Sequence, residues 1–292
     1  MKRLAIFGNS QQSDATDRIA ALLEILAGEP ARIHIAVEKS YLDFLTSATG
    51  LNAAMFGSFS DYDGSFDLAL SIGGDGTFLT TAATVGAFQT PIMGINAGHL
   101  GYLSAVDIYS APDIVSYILE GNYSVSPRSV ISVETDSSAQ LPQRFALNEV
   151  AFLKQDTASM IHVDTRIDGK PLAVYRGDGL IVATPTGSTG YNLSVGGPVM
   201  APQTSDWVIS PIAAHSLSMR PLVVSDKVTV DITTRSRSEF FMLSIDGKAV
   251  RLPIDTEVRL SKAPHRVNVV MLPGYNFINV LRDKLYWGME GS

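Results

Sequence analysis

The sequence predicts an α/β N-terminal domain built on a mostly parallel sheet, followed by a β-rich C-terminal domain. Strand-like and helix-like segments alternate up to about residue 121, the pattern of parallel strands covered by helices. After Tyr123, short stretches rich in Val, Ile, Thr and Phe are separated by turn residues, and helical spacing returns only near the end. The length of 292 residues exceeds the roughly 100–150 of a common single domain, so each part can bury its own core. The expected division is 1–122 for the α/β domain and 123–265 for the β-rich domain, with 266–292 returning to the first.

LAIFG (4–8) reads as a buried strand, followed by a polar loop and a helix whose Ile19, Leu22, Leu23 and Leu26 fall on one face. Gly28 and Pro30 stop that helix. RIHIAVE (32–38), FDLALSI (66–72) and PIMGIN (91–96) read as further strands. Ser110 before Ala-Pro-Asp reads as a capped helix start, with Ile114, Ile118 and Leu119 on one face. At the far end Phe277, Val280, Leu281 and Leu285 again keep helical spacing, which suggests a helix returning to the first domain.

A hydrophobic content of 46 % with 17 % charged residues fits a packed globular chain. The absence of cysteine excludes disulfides, thiolate nucleophiles and thiolate metal sites. The five histidines never take the spacing of HExxH or a zinc finger, and no structural transition metal is expected. A net charge of −7 and no basic run longer than a pair argue against nucleic acid. No 18-residue apolar stretch and no signal-peptide core are present, so no membrane span and a cytoplasmic location are expected.

Asp-Gly occurs at 63, 75, 168, 178 and 246, and its ordinary meaning is a tight hairpin turn. That meaning suits RIDGKPL (166–172) and SIDGKAV (244–250), while Asp63 lies in an acidic, solvated stretch. Asp75 differs, because in SIGGDGTFL a buried-type strand feeds the turn and the helical segment TFLTTAATV leaves it. Such a turn lies at the carboxyl end of a sheet strand, where α/β sheets bind ligands. Gly73, Gly74 and Gly76 with Thr77 can bring backbone N–H groups to a phosphate at a helix N-terminus. A carboxylate among those donors can take the proton of a hydroxyl that attacks phosphorus; a strand–helix turn that binds no ligand is the equal alternative on spacing alone. No Walker A loop follows Gly169-Lys170 or Gly247-Lys248, and GINAGHLG (94–101) has the wrong spacing for a dinucleotide fingerprint.

Two more segments stand out. RGDGLIVATPTGSTGYNLSVGGP (176–198) places hydroxyls and glycines after a short apolar strand, a composition whose more common meaning is an ordinary polar loop between strands. ALNEVAF (146–152) interrupts an apolar strand with Asn148 and Glu149. Adjacent strand residues point to opposite faces, so at least one of them faces a core or a ligand; a buried, bonded polar pair is the alternative.

GGDGTFL (73–79), Asn148-Glu149, DGLIVATPTGSTGYNLSVGGP (178–198) and HSLSMRP (215–221) together resemble the NAD kinase family in order and approximate distance. The resemblance extends to the closing F…L..KL.W at 277–287. It implies a nucleotide-binding α/β domain and a β-rich dinucleotide-binding domain with the active site between them. It further implies transfer of the γ-phosphoryl of ATP to the 2′-hydroxyl of the adenosine ribose of NAD. Asp75 would then be the general base, and Gly76 part of the nucleotide-binding turn. Asn148 and Glu149 would bind adenine and ribose groups, Arg176 and Asp178 would line the same site, and Thr189, Gly190, Tyr191, Asn192, Leu193 and Ser194 would contact the adenosine half. The resemblance also implies a homodimer or homotetramer and a divalent cation, magnesium above all, with its ligands unknown. Two departures are Thr80, where many members carry Arg or Lys, and Gly190, where many carry Ala.

Other classes fit less well. A dinucleotide sensor that lost its chemistry conflicts with the intact Asp75, although Thr80 is compatible with it. A lipid or sugar kinase sharing only GGDGT has no use for the Asn-Glu pair or for TPTGST. A dehydrogenase lacks its fingerprint.

Overall fold

The structure is a computed structural model, and it describes all residues except 11–14, 99–100, 104–105, 157–158, 217, 286 and 288–292. The chain divides into two compact units, residues 1–127 with 267–292, and residues 128–266.

The first unit contains β1 (Lys2–Gly8), α1 (Thr16–Ala27), β2 (Ile33–Glu38), α2 (Lys39–Thr49), β3 (Gly57–Phe59), β4 (Leu68–Ile72), α3 (Asp75–Val85), β5 (Ile92–Asn96), β6 (Val106–Asp107), α4 (Ala111–Glu120) and β7 (Ser124–Arg128). The second contains β8 (Ile131–Thr135), β9 (Phe145–Ala146), β10 (Glu149–Lys154), β11 (Ile161–Ile167), β12 (Lys170–Gly177), β13 (Gly179–Ala183), α5 (Tyr191–Ser194), β14 (Asp206–Ile212), β15 (Leu222–Ser225), β16 (Val230–Arg235), β17 (Phe240–Ile245), β18 (Lys248–Pro253) and β19 (Val258–Lys262). The chain then returns to the first unit with β20 (Val267–Met271) and α6 (Phe277–Leu285).

The first sheet runs β3-β2-β1-β4-β5-β20-β7, with β6 added on β5. The neighbours β1–β2, β1–β4, β2–β3, β4–β5 and β5–β20 are all parallel. Strands β4 and β5 are buried along their whole length, as parallel strands covered on both faces must be. β7 belongs to this sheet, so the first unit extends to Pro127 rather than stopping at 122.

One expectation about helices needs correction. Ser110 makes no side-chain cap at α4; Asp107 instead accepts the Tyr109 N–H at 3.0 Å and organises the turn before it. α2 carries only a thin apolar stripe of Tyr41, Leu42 and Leu45 among hydroxyl residues, and it starts where the Glu38 carboxylate accepts the N–H groups of Ser40 and Tyr41.

The second unit is two six-stranded sheets, β15-β14-β13-β10-β17-β18 and β12-β11-β16-β19-β8-β9, antiparallel at every described pairing. Strict alternation along β11, β16 and β17 sends Val163, Ile232 and Leu243 into one shared core. β13 breaks the alternation because both of its faces are covered. Leu180 and Val182 face the shared core, while Ile181 and Ala183 pack with Met200, Val208 and Ile212 on the other side.

Candidate active site

In the first unit, β4 ends beside β1, with Ile72 in register with Gly8. Strand order reverses between these two, the place where open α/β sheets bind ligands. Gly74 is the N-cap of α3, and Asp75 opens its first turn. A Cβ on Gly74 or Gly76 would meet no protein atom within 4 Å. Packing therefore does not require glycine at either place, and Gly76 costs the helix about 1 kcal/mol relative to alanine. What the missing side chains leave open is the approach of an anion to N–H groups at a positive helix end. Alongside lies a cavity of about 480 Å³ at the carboxyl ends of β1, β2 and β3, lined among others by Phe59, Tyr62, Gly76, Thr77 and Thr80.

The Asp75 carboxylate is held from a second segment. Its Oδ2 accepts the Tyr102 N–H at 2.8 Å, and its Oδ1 accepts the Leu103 N–H at 3.0 Å. A Cβ on Gly101 would stand 1.9 Å from Oδ1, so only glycine lets this backbone approach so closely. GINAGHLG thus ends in the clamp of Asp75; His99 and Leu100 lie outside the described residues.

In the second unit, the centre is a carboxylate that the hairpin reading undervalued. Asp246 does occupy the β17–β18 turn with φ 47°, and Ile245 pairs with Lys248. Its side chain, however, turns inward: Oδ1 accepts the N–H groups of Asn148 at 2.7 Å and Glu149 at 3.1 Å, and Oδ2 accepts that of Leu147 at 2.7 Å. Three consecutive N–H groups on one carboxylate bend the chain out of regular pairing between β9 and β10. The simple alternation expected for Asn148 and Glu149 therefore fails. Both side chains approach Gly190, whose Cβ would lie 3.2 Å from Glu149 Oε2 and 3.6 Å from Asn148 Nδ2.

Asn148 Oδ1 and Glu149 Oε2 are buried without a hydrogen-bond partner. Such orphaned acceptors suit a ligand that brings hydroxyls or amines. Burial pushes the Glu149 carboxyl up to about 7, the Asp246 charge adds to this, and the Tyr191 N–H opposes it. Asp246 is itself raised by burial and pulled back by the N–H groups it accepts.

Residues 4–123 match the ATP-NAD kinase N-terminal domain and residues 147–272 the ATP-NAD kinase C-terminal domain. The chain belongs to the NAD kinase family. It is 40 % identical over 288 residues to an NAD kinase of Porphyromonas gingivalis, covering 99 % of each chain. The NAD kinase of Christiangramia forsetii is 39 % identical over 292 residues, again covering 99 % of each. Among solved structures, an NAD kinase from Archaeoglobus fulgidus in complex with ATP superposes with a TM-score of 0.71 at 27 % identity, covering 97 % of this chain and 98 % of that one. Yeast NADH kinase complexed with NADH shares the fold, with a TM-score of 0.88 at 20 % identity, covering 100 % of this chain and 89 % of that one.

The residues singled out in this NAD kinase-family chain fall into distinct local settings. Asn192 is fully buried, and its amide is spent on the protein: Nδ2 donates to Ser188 O and Pro198 O, both at 3.1 Å, and Oδ1 accepts the Ser210 hydroxyl at 2.6 Å. It holds the 187–198 segment against β14. Thr189 and Gly190 are partly buried, Leu193 likewise, and Tyr191 and Ser194 are exposed. Arg176 is exposed on β12, and its carbonyl accepts the His215 N–H at 2.9 Å, which docks HSLSMRP there; Leu217 of that motif lies outside the described residues. Asp178 pairs with Lys154 at 2.6 Å. Together with His162, His215 and Arg235 they line a cavity of about 650 Å³. Lys154, Asp246 and the Gly101–Leu103 clamp were missed in the sequence, since each acts across a long stretch of chain and carries no local motif.

Proposed function

We propose that this protein is an NAD kinase, transferring the γ-phosphoryl of ATP to the 2′-hydroxyl of the adenosine ribose of NAD to give NADP and ADP. The observation that carries the reading is an intact Asp75 on a glycine turn whose backbone is open to phosphate. In the step itself, the 2′-oxygen attacks the γ-phosphorus as the bond to the β,γ-bridging oxygen breaks, and ADP leaves. Asp75 takes the hydroxyl proton. The Tyr102 and Leu103 N–H groups occupy one lone pair on each carboxylate oxygen, which fixes its direction and leaves acceptor capacity for the substrate. The unpartnered Asn148 Oδ1 and Glu149 Oε2 receive the adenine amine and ribose hydroxyls, and Thr189 to Ser194 border the adenosine. Arg176 and Asp178 serve the same dinucleotide. The cavity beside Gly76 and Thr80 suits the ATP donor, with Phe59 and Tyr62 as aromatic walls.

A divalent cation, magnesium above all, fits this arrangement as a companion of the triphosphate. No group of three His, Asp or Glu side chains converges as a cage among the described residues, whereas the open glycine turn accommodates a phosphate-bound ion. When bound, the ion supplies neutralisation of phosphate charge. A homodimer or homotetramer in the cytoplasm completes the reading. No helix among the described residues is long and apolar enough to cross a membrane.

The test is incubation with NAD, ATP and magnesium, with NADP quantified, beside Asp75→Asn. NADP is expected from the wild type alone, with NAD binding retained in the variant. Normal turnover by Asp75→Asn removes Asp75 from the role of base.

A further inference from the structure

The closing helix brings a cation to the segment that clamps Asp75. Lys284 of α6 lies with its ammonium 4.8 Å from the centroid of the Tyr102 ring. Tyr102 is the residue whose N–H fixes Asp75 Oδ2. The amine is partly buried, whereas its helix neighbours Arg282 and Asp283 are exposed. Lys284 is therefore the charged residue of this stretch that turns inward. Burial lowers its pKa, and the negative charge of Asp75 pulls in the opposite direction. The Tyr102 phenol is raised first by burial and then by the same carboxylate. Asp75, Tyr102 and Lys284 thus form one electrostatic unit.

Among the described residues, the cavity beside the GGDGT turn is lined by no lysine, arginine or histidine. Residue 80, one helical turn beyond Gly76, is a threonine whose hydroxyl donates back to the Gly76 carbonyl at 3.1 Å. Phosphoryl transfer gathers negative charge at this kind of turn, and positive charge placed nearby is worth most where water is partly excluded.

We propose that Lys284 is a positioning residue for phosphoryl transfer, supplying from the C-terminal helix the positive charge of the GGDGT turn and acting through Tyr102 and Asp75. The inference rests on the kinase reading. It also gives the closing segment a role in the reaction, beyond packing.

The experiment uses the full chain with NAD, ATP and magnesium, comparing wild type, Lys284→Met and Lys284→Arg. Lys284→Met is expected to lower kcat at least fivefold with the NAD dissociation constant within twofold, and Lys284→Arg to restore most of the loss. On the alkaline side, wild-type kcat is expected to fall with a midpoint below the ordinary lysine range, and that fall is expected to vanish in Lys284→Arg, whose guanidinium does not titrate there. A kcat reduced less than fivefold in Lys284→Met, or an alkaline fall that persists unchanged in Lys284→Arg, overturns the proposal. If Lys284→Met does not fold, the pH profile of Lys284→Arg decides alone. Absence of NADP from the wild type would instead reject the kinase reading.

Discussion

At the scale of single residues, Gly101 is an exacting position. Because a methyl group there would sit 1.9 Å from Asp75 Oδ1, Gly101→Ala must push either the carboxylate or the clamp aside. A displacement of about 1 Å at a reacting group costs on the order of 10²-fold in rate. We expect kcat to fall by roughly that factor; steady-state kinetics check it. Asp75 was legible in the sequence because a strand, a glycine turn and a helix announce it within nine residues, SIGGDGTFL. Its clamp was not, because backbone N–H groups belong to every residue type except proline and leave no mark on composition. Asn192 shows the converse. It sits in a motif that reads as ligand-binding, yet its amide is wholly engaged by Ser188, Pro198 and Ser210.

At the scale of elements, the strand break at 147–149 carries a pH dependence. Glu149 is held near 7 in the folded state, above the roughly 4.3 of an unfolded glutamate. Its contribution to stability is therefore fully present below about pH 4 and is lost as pH rises through 7. Relative to Glu149→Gln, the wild type should lose about 3 kcal/mol between pH 4 and pH 8. Denaturant titrations at both pH values measure this. The same carboxylate, once ionised, accepts ribose hydroxyls better, so NAD affinity should rise between pH 6 and 8 in the wild type and stay flat in the variant; calorimetry at the two pH values reads it directly. The pairing of Asn148 with Glu149 was visible as two polar residues in an apolar stretch. What bends them toward Gly190 was not, because Asp246 lies almost a hundred residues on and carries the ordinary Asp-Gly signature of a hairpin.

At the scale of the whole molecule, the fold class was readable because the hydrophobic period changes from helical to alternating along the chain. The insertion of one unit within the other was harder to see. Only helical spacing at 277–285 hinted at a return, and β20 is a short apolar run like many others. Yet β20 lies inside the first sheet, between β5 and β7, with Val267, Val269, Val270 and Met271 all buried. Four such side chains, at roughly 1.5–3 kcal/mol each, rival the whole stability of a domain, about 5–15 kcal/mol. A chain ending at Arg266 should accordingly lose the fold of the first unit, whereas one ending at Pro273 should keep it and lose most turnover with α6. Soluble yield and circular dichroism separate the two. The inner position of β20 also matters while the protein is being made. Strands β1 to β6 leave the ribosome early, but the part of the β5 edge that β20 takes stays empty until the entire second unit has been translated, a delay on the order of ten seconds. For that interval the nascent chain exposes the stretch of apolar β5 edge that β6 leaves unpaired, the surface that chaperones bind and that neighbouring chains on a polysome can capture.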